Sequence, residues 1–460
     1  MTTPASSAKP RTFAKIVTPP PGPRSREIVE REKPFMAPGT QAFSQLAGIA
    51  VEKGKGAVLE DVDGNQYLDL VAGICVASLG HGHPAMAKVL GEQAEKVMIG
   101  SFTSAPRARL LESLVGLAPA GLEGSRAQLY SGGAEAVESA LRLARSHTRK
   151  YEVVSFWGGF HGKTGGVLPL LGSDFKHGLG PFQTGMHLVP YADCYRCPFK
   201  LEHPSCGNLC VDFAREAIKR QSAGSVAAII AEPIQGTNGN VIPPDDFLPA
   251  IREIARELDA VFIADEMITG FGRSGKMWGV QHSGVKPDMI TIGKAFGAGY
   301  PITGLVAKNE ICGAKPWANP SFSSSSYGGN PLAAAAAEVA IGTVVKDDLV
   351  GNSHRVGEAM LAALKPLVDR FPFVGDVRGR GLMIGLELVK DKQTKAPLAK
   401  KACEFVYLEG LRRGLLAMTY TNRVRINPPL VITEAQALEA VDILTEVLAE
   451  LDRKPDLWKA

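Results

Sequence analysis

The chain has 460 residues, 45% of them apolar, enough to bury a large core and to divide into at least two domains. A formal charge of +4 is small for that length and the Lys and Arg residues are dispersed, so neither nucleic acid nor a membrane surface is indicated as a partner. No apolar run approaches a bilayer span and residues 1–24 lack the apolar centre of a secretory signal, which leaves the cytoplasm as the expected compartment.

Residues 1–24 are rich in Pro, Ser, Thr and basic side chains and run into TPPPGPRS. Such a composition packs no core of its own and predicts disorder, or a segment draped on a partner surface. From Val51 the pattern changes: Ala57–Asp61 and Gln66–Leu70 read as strands joined by the tight-turn sequence Asp63-Gly64-Asn65. In YSGGAEAVESALRLAR, Tyr130–Arg145, the apolar positions Ala136, Val137, Ala140, Leu141 and Ala144 recur at helical spacing after Gly132-Gly133, so a glycine loop feeds an amphipathic helix. Free amides and the dipole at such a helix start attract phosphate, although small-residue loops before helices are more often plain turns. WGGFHGKT, Trp157–Thr164, sets Phe160 amid glycines, where a ring either lies flat on a planar ligand or fills a core.

The cysteines number seven, and four of them, Cys194, Cys197, Cys206 and Cys210, follow a CxxC, eight-residue, CxxxC spacing. That is close to a four-thiolate zinc site; the alternative is a reduced surface insertion without metal. A metal here would staple a loop, and no catalytic metal is assigned.

Farther on, VAAIIAEPIQ, Val226–Gln235, reads as a buried strand closing on Glu232. Ala260–Ala264 is another, ending on Asp265 and Glu266, and Met289–Ile292 delivers Lys294 just past Gly293. Ligands of open α/β sheets sit at the carboxyl ends of strands, so Asp265 and Lys294 should reach the same edge. Taken singly, a strand-end Asp is more often a cap, and a Lys after a Gly is more often solvated. As a pair they suit pyridoxal phosphate: the amine forms the Schiff base and the carboxylate keeps the pyridine nitrogen protonated.

The strings DEMITGFGRSG and ITIGKAFGAGYP resemble the central signature of the class III (fold type I) pyridoxal-phosphate aminotransferases, the group of the ornithine, 4-aminobutyrate, putrescine and omega-amino acid enzymes. The resemblance extends to AVLEDVDGNQYLDLVAGICVASLGHGHP, to the phosphate loop and to SSSYGGNPLAAAAAEVA, and spans residues 35–450 with its motifs in order. It implies that Lys294 is the Schiff-base lysine and Asp265 the pyridinium partner, with Met267 next to it. Gly133 and Ala134 would hold the phosphate, though the family serine falls on Gly132 and one hydroxyl is missing. Phe160 would stack on the ring with His161 beside it, and Glu232 would order the surroundings of Asp265. Ser326 would donate to the phosphate of a neighbouring subunit, which implies a homodimer or higher oligomer with shared active sites.

The same resemblance implies transfer of an amino group from an omega-amine or amino acid to an alpha-keto acid such as pyruvate or 2-oxoglutarate, by a ping-pong mechanism. Racemases and dialkylglycine decarboxylases on the same scaffold are the alternative. Substrate choice falls on Lys163 and Arg425. Lys163 stands where the ornithine and 4-aminobutyrate branch has an arginine, and it keeps the charge without the planar fork. That branch also has a glutamate where this chain has Thr237, in EPIQGTNG, so Arg425 should stay free for an alpha-carboxylate. The expected fold is α/β, with a mostly parallel central sheet in a large domain, residues 85–330. A smaller α+β domain would come from both chain ends, residues 25–84 and 331–460.

Overall fold

The computed structural model describes residues 11–459. Three short strands open the chain: β1 (Val51–Lys55), β2 (Val58–Asp61) and β3 (Gln66–Asp69), paired antiparallel in that order. The predicted turn between β2 and β3 is held by the buried Asp61, whose carboxylate accepts from the amides of Asp63 and Asn65 at 2.9 Å each. It also accepts from Asn65 Nδ2 at 2.9 Å and from the Tyr67 hydroxyl at 2.6 Å.

That turn anchors the amino-terminal segment, and here the structure departs from the expected disorder of residues 1–24. From Arg11 onward the segment is packed. Asn65 Oδ1 accepts from the amides of Val17 and Thr18 at 2.9 Å, and Asp63 accepts from those of Arg24 and Ser25 at 2.8 and 2.9 Å. Lys15 bridges to Gln66, Glu439 takes the amides of Thr12, Phe13 and Ala14, and a helix begins at Pro23. The partners lie elsewhere in the chain, which is why local composition misreads the segment. Residues 1–10 lie outside the described part.

The central sheet has seven strands: β4 (Arg126–Tyr130), β5 (Glu152–Phe156), β6 (Met186–Val189), β7 (Val226–Ala231), β8 (Val261–Asp265), β9 (Met289–Ile292) and β10 (Thr303–Ala307). Their order is β4-β10-β9-β8-β7-β5-β6, parallel throughout except for β10, which runs against both neighbours. Every residue of β5, β7, β8 and β9 is buried, as continuous apolar runs covered on both faces require. The glycine loop after β4 feeds the helix Gly133–Thr148, which buries the five predicted positions Ala136, Val137, Ala140, Leu141 and Ala144 against the sheet.

The rest of the chain adds β11 (Val374–Arg380), β12 (Met383–Leu388), β13 (Leu415–Leu416) and β14 (Arg423–Ile426). β11-β12-β14 form an antiparallel sheet, and β13 joins β3 in parallel, so the opening sheet is completed from the far end of the chain. One hydrophobic core accordingly contains Ala57, Leu68 and Leu79 together with Leu386, Val406 and Leu444. The helix Pro331–Lys346 starts where the boundary was expected but serves two cores: Ala333, Ala337 and Ile341 pack under the central sheet, Ala340 and Val344 under the smaller ones.

Asp61→Ala strands four donors in a buried turn and should cost on the order of 3 kcal/mol in a urea melt. The same variant should expose residues 11–25 to limited proteolysis, because the turn that anchors them is lost.

Candidate active site

The parallel strands β5, β7, β8 and β9 point their carboxyl ends to one edge, and the side chains singled out in the sequence arrive there on successive loops. At that edge lies a cavity of about 430 Å³ lined by Asp265, Lys294, Gly133, Ala134, Phe160, His161, Lys163 and Met267, among others. Glu232, Arg425 and Ser326 are not part of its lining.

Asp265 closes β8 and is buried. One of its oxygens accepts from Thr291 Oγ1 at 2.9 Å, which follows from the register pairing Asp265 with Thr291 across β8 and β9, and from the amide of Met267 at 3.1 Å. The other meets His161 Nδ1 at 2.7 Å. Burial works against a charge on His161, but the hydrogen bond and charge of Asp265 outweigh it and hold the imidazole above its ordinary pKa. Glu232 braces the arrangement from β7: it accepts from the amides of Phe160 at 2.9 Å and Gly236 at 3.0 Å, and burial raises its pKa to about 7.

Lys294 is partly buried, and desolvation lowers its pKa despite the opposing charges of Asp265 and Glu232. Its φ of 47° lies in the left-handed region, a conformation that costs about 1–3 kcal/mol and clusters at functional sites. Gly293 before it must lack a side chain, since a Cβ there would collide with Met267 Sδ. The same thioether packs against Gly133, so Met267 wedges the lysine turn against the glycine loop.

At the other end of the cavity the helix Gly133–Thr148 presents its first turn. Glu135 takes the amides of Ser131 and Gly132 at 3.1 and 3.2 Å, and the amides of Gly133 and Ala134 have no intrahelical partner. Hydroxyl residues that sequence reasoning passed over also line the cavity, among them Ser131, one position before the glycine that replaces the family serine, and Thr303 at the start of β10. Ser131 was legible as the neighbour of Gly132; Thr303 was not, because β10 is antiparallel and its start reaches the site only through sheet order.

Phe160 is half-buried with its ring edge-on to Phe175 at 5.6 Å, and the exposed Lys163 holds its ammonium 5.7 Å from the Phe175 ring centroid. Arg425 lies on β14 opposite Gly385, where burial lowers its pKa. Among the described residues no carboxylate stands within ion-pair distance of it, whereas Arg423, two positions earlier, meets Asp193 at 3.4 Å and Glu387 at 3.6 Å. Ser326 is exposed, on the 321–330 segment.

These residues fit pyridoxal phosphate: a helix amino terminus for its phosphate, an aromatic flank, a buried carboxylate for its nitrogen and an amine on the cavity wall for its aldehyde. Fold and site together define a fold type I pyridoxal-phosphate enzyme. Residues 40–448 match the family model of class-III aminotransferases, and the chain belongs to that family, as a transaminase that moves an amino group from an amine or amino acid to a keto acid. It is 33% identical to a 4-aminobutyrate aminotransferase of Mycobacterium leprae, covering 95% of this chain and 98% of that one. It is also 32% identical to an alanine/serine racemase of Pyrococcus horikoshii, covering 97% and 96%. An amine transaminase from an uncultivated Pseudomonas species, solved with pyridoxal phosphate bound, superposes with a TM-score of 0.85 at 31% identity over 90% of this chain and 98% of that one.

Beside Asp265, the buried Glu266 accepts from Thr269 Oγ1 and from the amides of Gly279 and Val280 at 2.8 Å, and burial raises its pKa to about 7. A carboxyl whose folded pKa lies above its unfolded value keeps its proton in the fold while the unfolded chain ionises. Stability therefore falls as pH rises from about 4.5 to 7, by on the order of 3 kcal/mol per such group. Glu266→Gln should flatten that slope in urea melts of the cofactor-free protein taken across this range.

Proposed function

We propose that Lys294 is the residue that bonds the cofactor and then carries the substrate proton, with Asp265 fixing the pyridine nitrogen in its protonated form. Pyridoxal phosphate, when bound, supplies a ring that accepts the electron pair left by the departing substrate proton and an aldehyde carbon that carries the amino group between donor and acceptor. The observation that carries the reading is the convergence of Asp265 and Lys294 on one cavity that also opens on a free helix amino terminus. Desolvation favours the neutral amine of Lys294, the form able to take a proton from the substrate carbon and return it one atom away. His161 and Thr291 hold Asp265 in one orientation. Gly133 and Ala134 offer backbone amides to the phosphate, with Ser131 at hand for the missing hydroxyl, while Thr303 Oγ1 donates to the Gly132 carbonyl at 3.0 Å and holds the loop. Lys294→Ala should abolish amino transfer and leave no covalent label after borohydride; a reduced adduct mapped to another lysine would overturn the assignment.

Ser326 acts across a subunit boundary in this proposal, completing the phosphate site of a second copy in a homodimer or larger assembly. Its support is the apolar surface around it: Met98, Ile99, Phe102, Phe322 and Tyr327 are exposed, and Gly100 packs against Asn330, so the two exposed segments adjoin. The protein works in the cytoplasm on this reading, in keeping with seven cysteines that are all free. No helix among the described residues is long and apolar enough to cross a membrane.

For the substrate, Arg425 receives the alpha-carboxylate and Lys163 a second anionic or polar end. Thr237 cannot neutralise a guanidinium, and Arg425 has no ion-pair partner among the described residues, so it is available to an amino acid or a keto acid. The donor is an omega-amine or amino acid and the acceptor pyruvate or 2-oxoglutarate. Arg425→Ala should raise the KM for keto acids at least about tenfold while simple amines are affected less. Unchanged keto-acid affinity in a donor and acceptor panel would remove Arg425 from the site.

The likeness to an alanine/serine racemase supports a second reading, exchange of the alpha hydrogen without amino transfer. It separates cleanly: a transaminase given an amine alone accumulates the amino form of its cofactor, and a racemase given an amino acid alone inverts it.

A further inference from the structure

Between β6 and the helix Leu209–Gln221, residues 190–208 form neither helix nor strand, yet the segment is firmly attached to the rest of the molecule. Arg196 donates to the fully buried Glu387 on β12 at 2.9 Å and to the carbonyl of Lys395 at 2.8 Å. Lys395 Nζ donates back to the carbonyl of Tyr195 at 2.6 Å, and Asp193 meets Arg423 on β14 at 3.4 Å. The segment is thus a bracket from the large sheet to the strand that carries Arg425.

The four cysteines of this bracket, Cys194, Cys197, Cys206 and Cys210, all line one cavity of about 20 Å³, which has room for about one ion or water. It shares no lining residue with the active site. Each is a free thiol, and Cys194 lies within electrostatic reach of the other three. Catalysis uses none of them. Four cysteines around one cavity, in CxxC and CxxxC pairs, supply the donor set that a soft divalent cation requires, because each short pair can span one edge of a tetrahedron.

We propose that Cys194, Cys197, Cys206 and Cys210 bind one zinc ion, which locks the bracket between the large sheet and β14. The thiols release their protons as the zinc–sulfur bonds form, and Arg196 and Lys395, both stacked on the neighbouring Tyr195 ring, offset the negative charge of the tetrathiolate. As they stand, no three His, Cys, Asp or Glu side chains among the described residues form a ready cation site, so under this proposal the four thiols close on the ion as it binds.

The test is elemental analysis of the holoenzyme purified under reducing conditions, with zinc release by a mercurial as a second readout. About one zinc per chain is expected, and Cys197→Ser and Cys206→Ser should each lower it at least about tenfold and lower the melting temperature. Cys312→Ser, outside the cluster, should keep its zinc, and all three variants should keep their cofactor absorbance. Should a serine variant fail to fold, chelation of the wild-type enzyme decides: zinc leaves and four thiols become reactive together. The proposal falls if the wild-type enzyme holds less than about a tenth of a zinc per chain and takes up none when zinc is added, if iron is found in its place, or if the serine variants retain the metal.

Discussion

A carboxylate buried at the end of a parallel strand is costly unless every lone pair is met, and the site of this enzyme is organised around meeting those of Asp265. Its partners come from three different parts of the chain: Thr291 from the adjacent strand β9, His161 from the loop after β5, and the amide of Met267 from its own turn. Thr291 and His161 are available only because β5, β7, β8 and β9 run in the same direction and are ordered as they are. The lysine opposite Asp265 is the consequence on the next strand. Two residues past β9 the backbone turns left-handed at Lys294, and the Met267 thioether fills the space that a side chain at Gly293 would occupy. The constraint that secures Asp265 therefore also fixes where the amine emerges.

Arg425, proposed above for the substrate carboxylate, belongs to the smaller sheets, and its positioning is indirect. Arg425 sits on β14, which is held to the large sheet by Arg423, Asp193 and Glu387 and by Arg378, whose guanidinium bonds the carbonyls of Gly239 and Asn240. These contacts link the loop after Glu232 to the strand bearing Arg425, and the helix Pro331–Lys346 packs under both sets of sheets.

Much of the site was legible in the amino-acid order, for reasons that are local. A run such as VAAIIA declares a strand covered on both faces, and the apolar spacing after Gly133 declares a helix, because each signal lives within one element and repeats with its period. The ends of those elements locate Asp265, Glu232, Lys294 and the phosphate loop without further information. Resemblance then attached roles to positions that periodicity alone left open, Phe160 and Ser326 among them.

What only the tertiary structure decided is which groups share a space. Thr303 enters the cavity because β10 alone runs antiparallel, and Thr291 supports Asp265 because of a register between strands. Residues 11–24, disordered by composition, are ordered by Asp63, Asn65 and Glu439, which lie from 39 to 427 positions away. The same holds for the cysteine bracket, whose attachment to Glu387 and Arg423 no spacing announces. The sequence determined the elements and the chemical groups at their ends, since these depend on neighbours along the chain. Their pairing depended on the free energy of closing long loops onto complementary partners, which is a property of the whole fold.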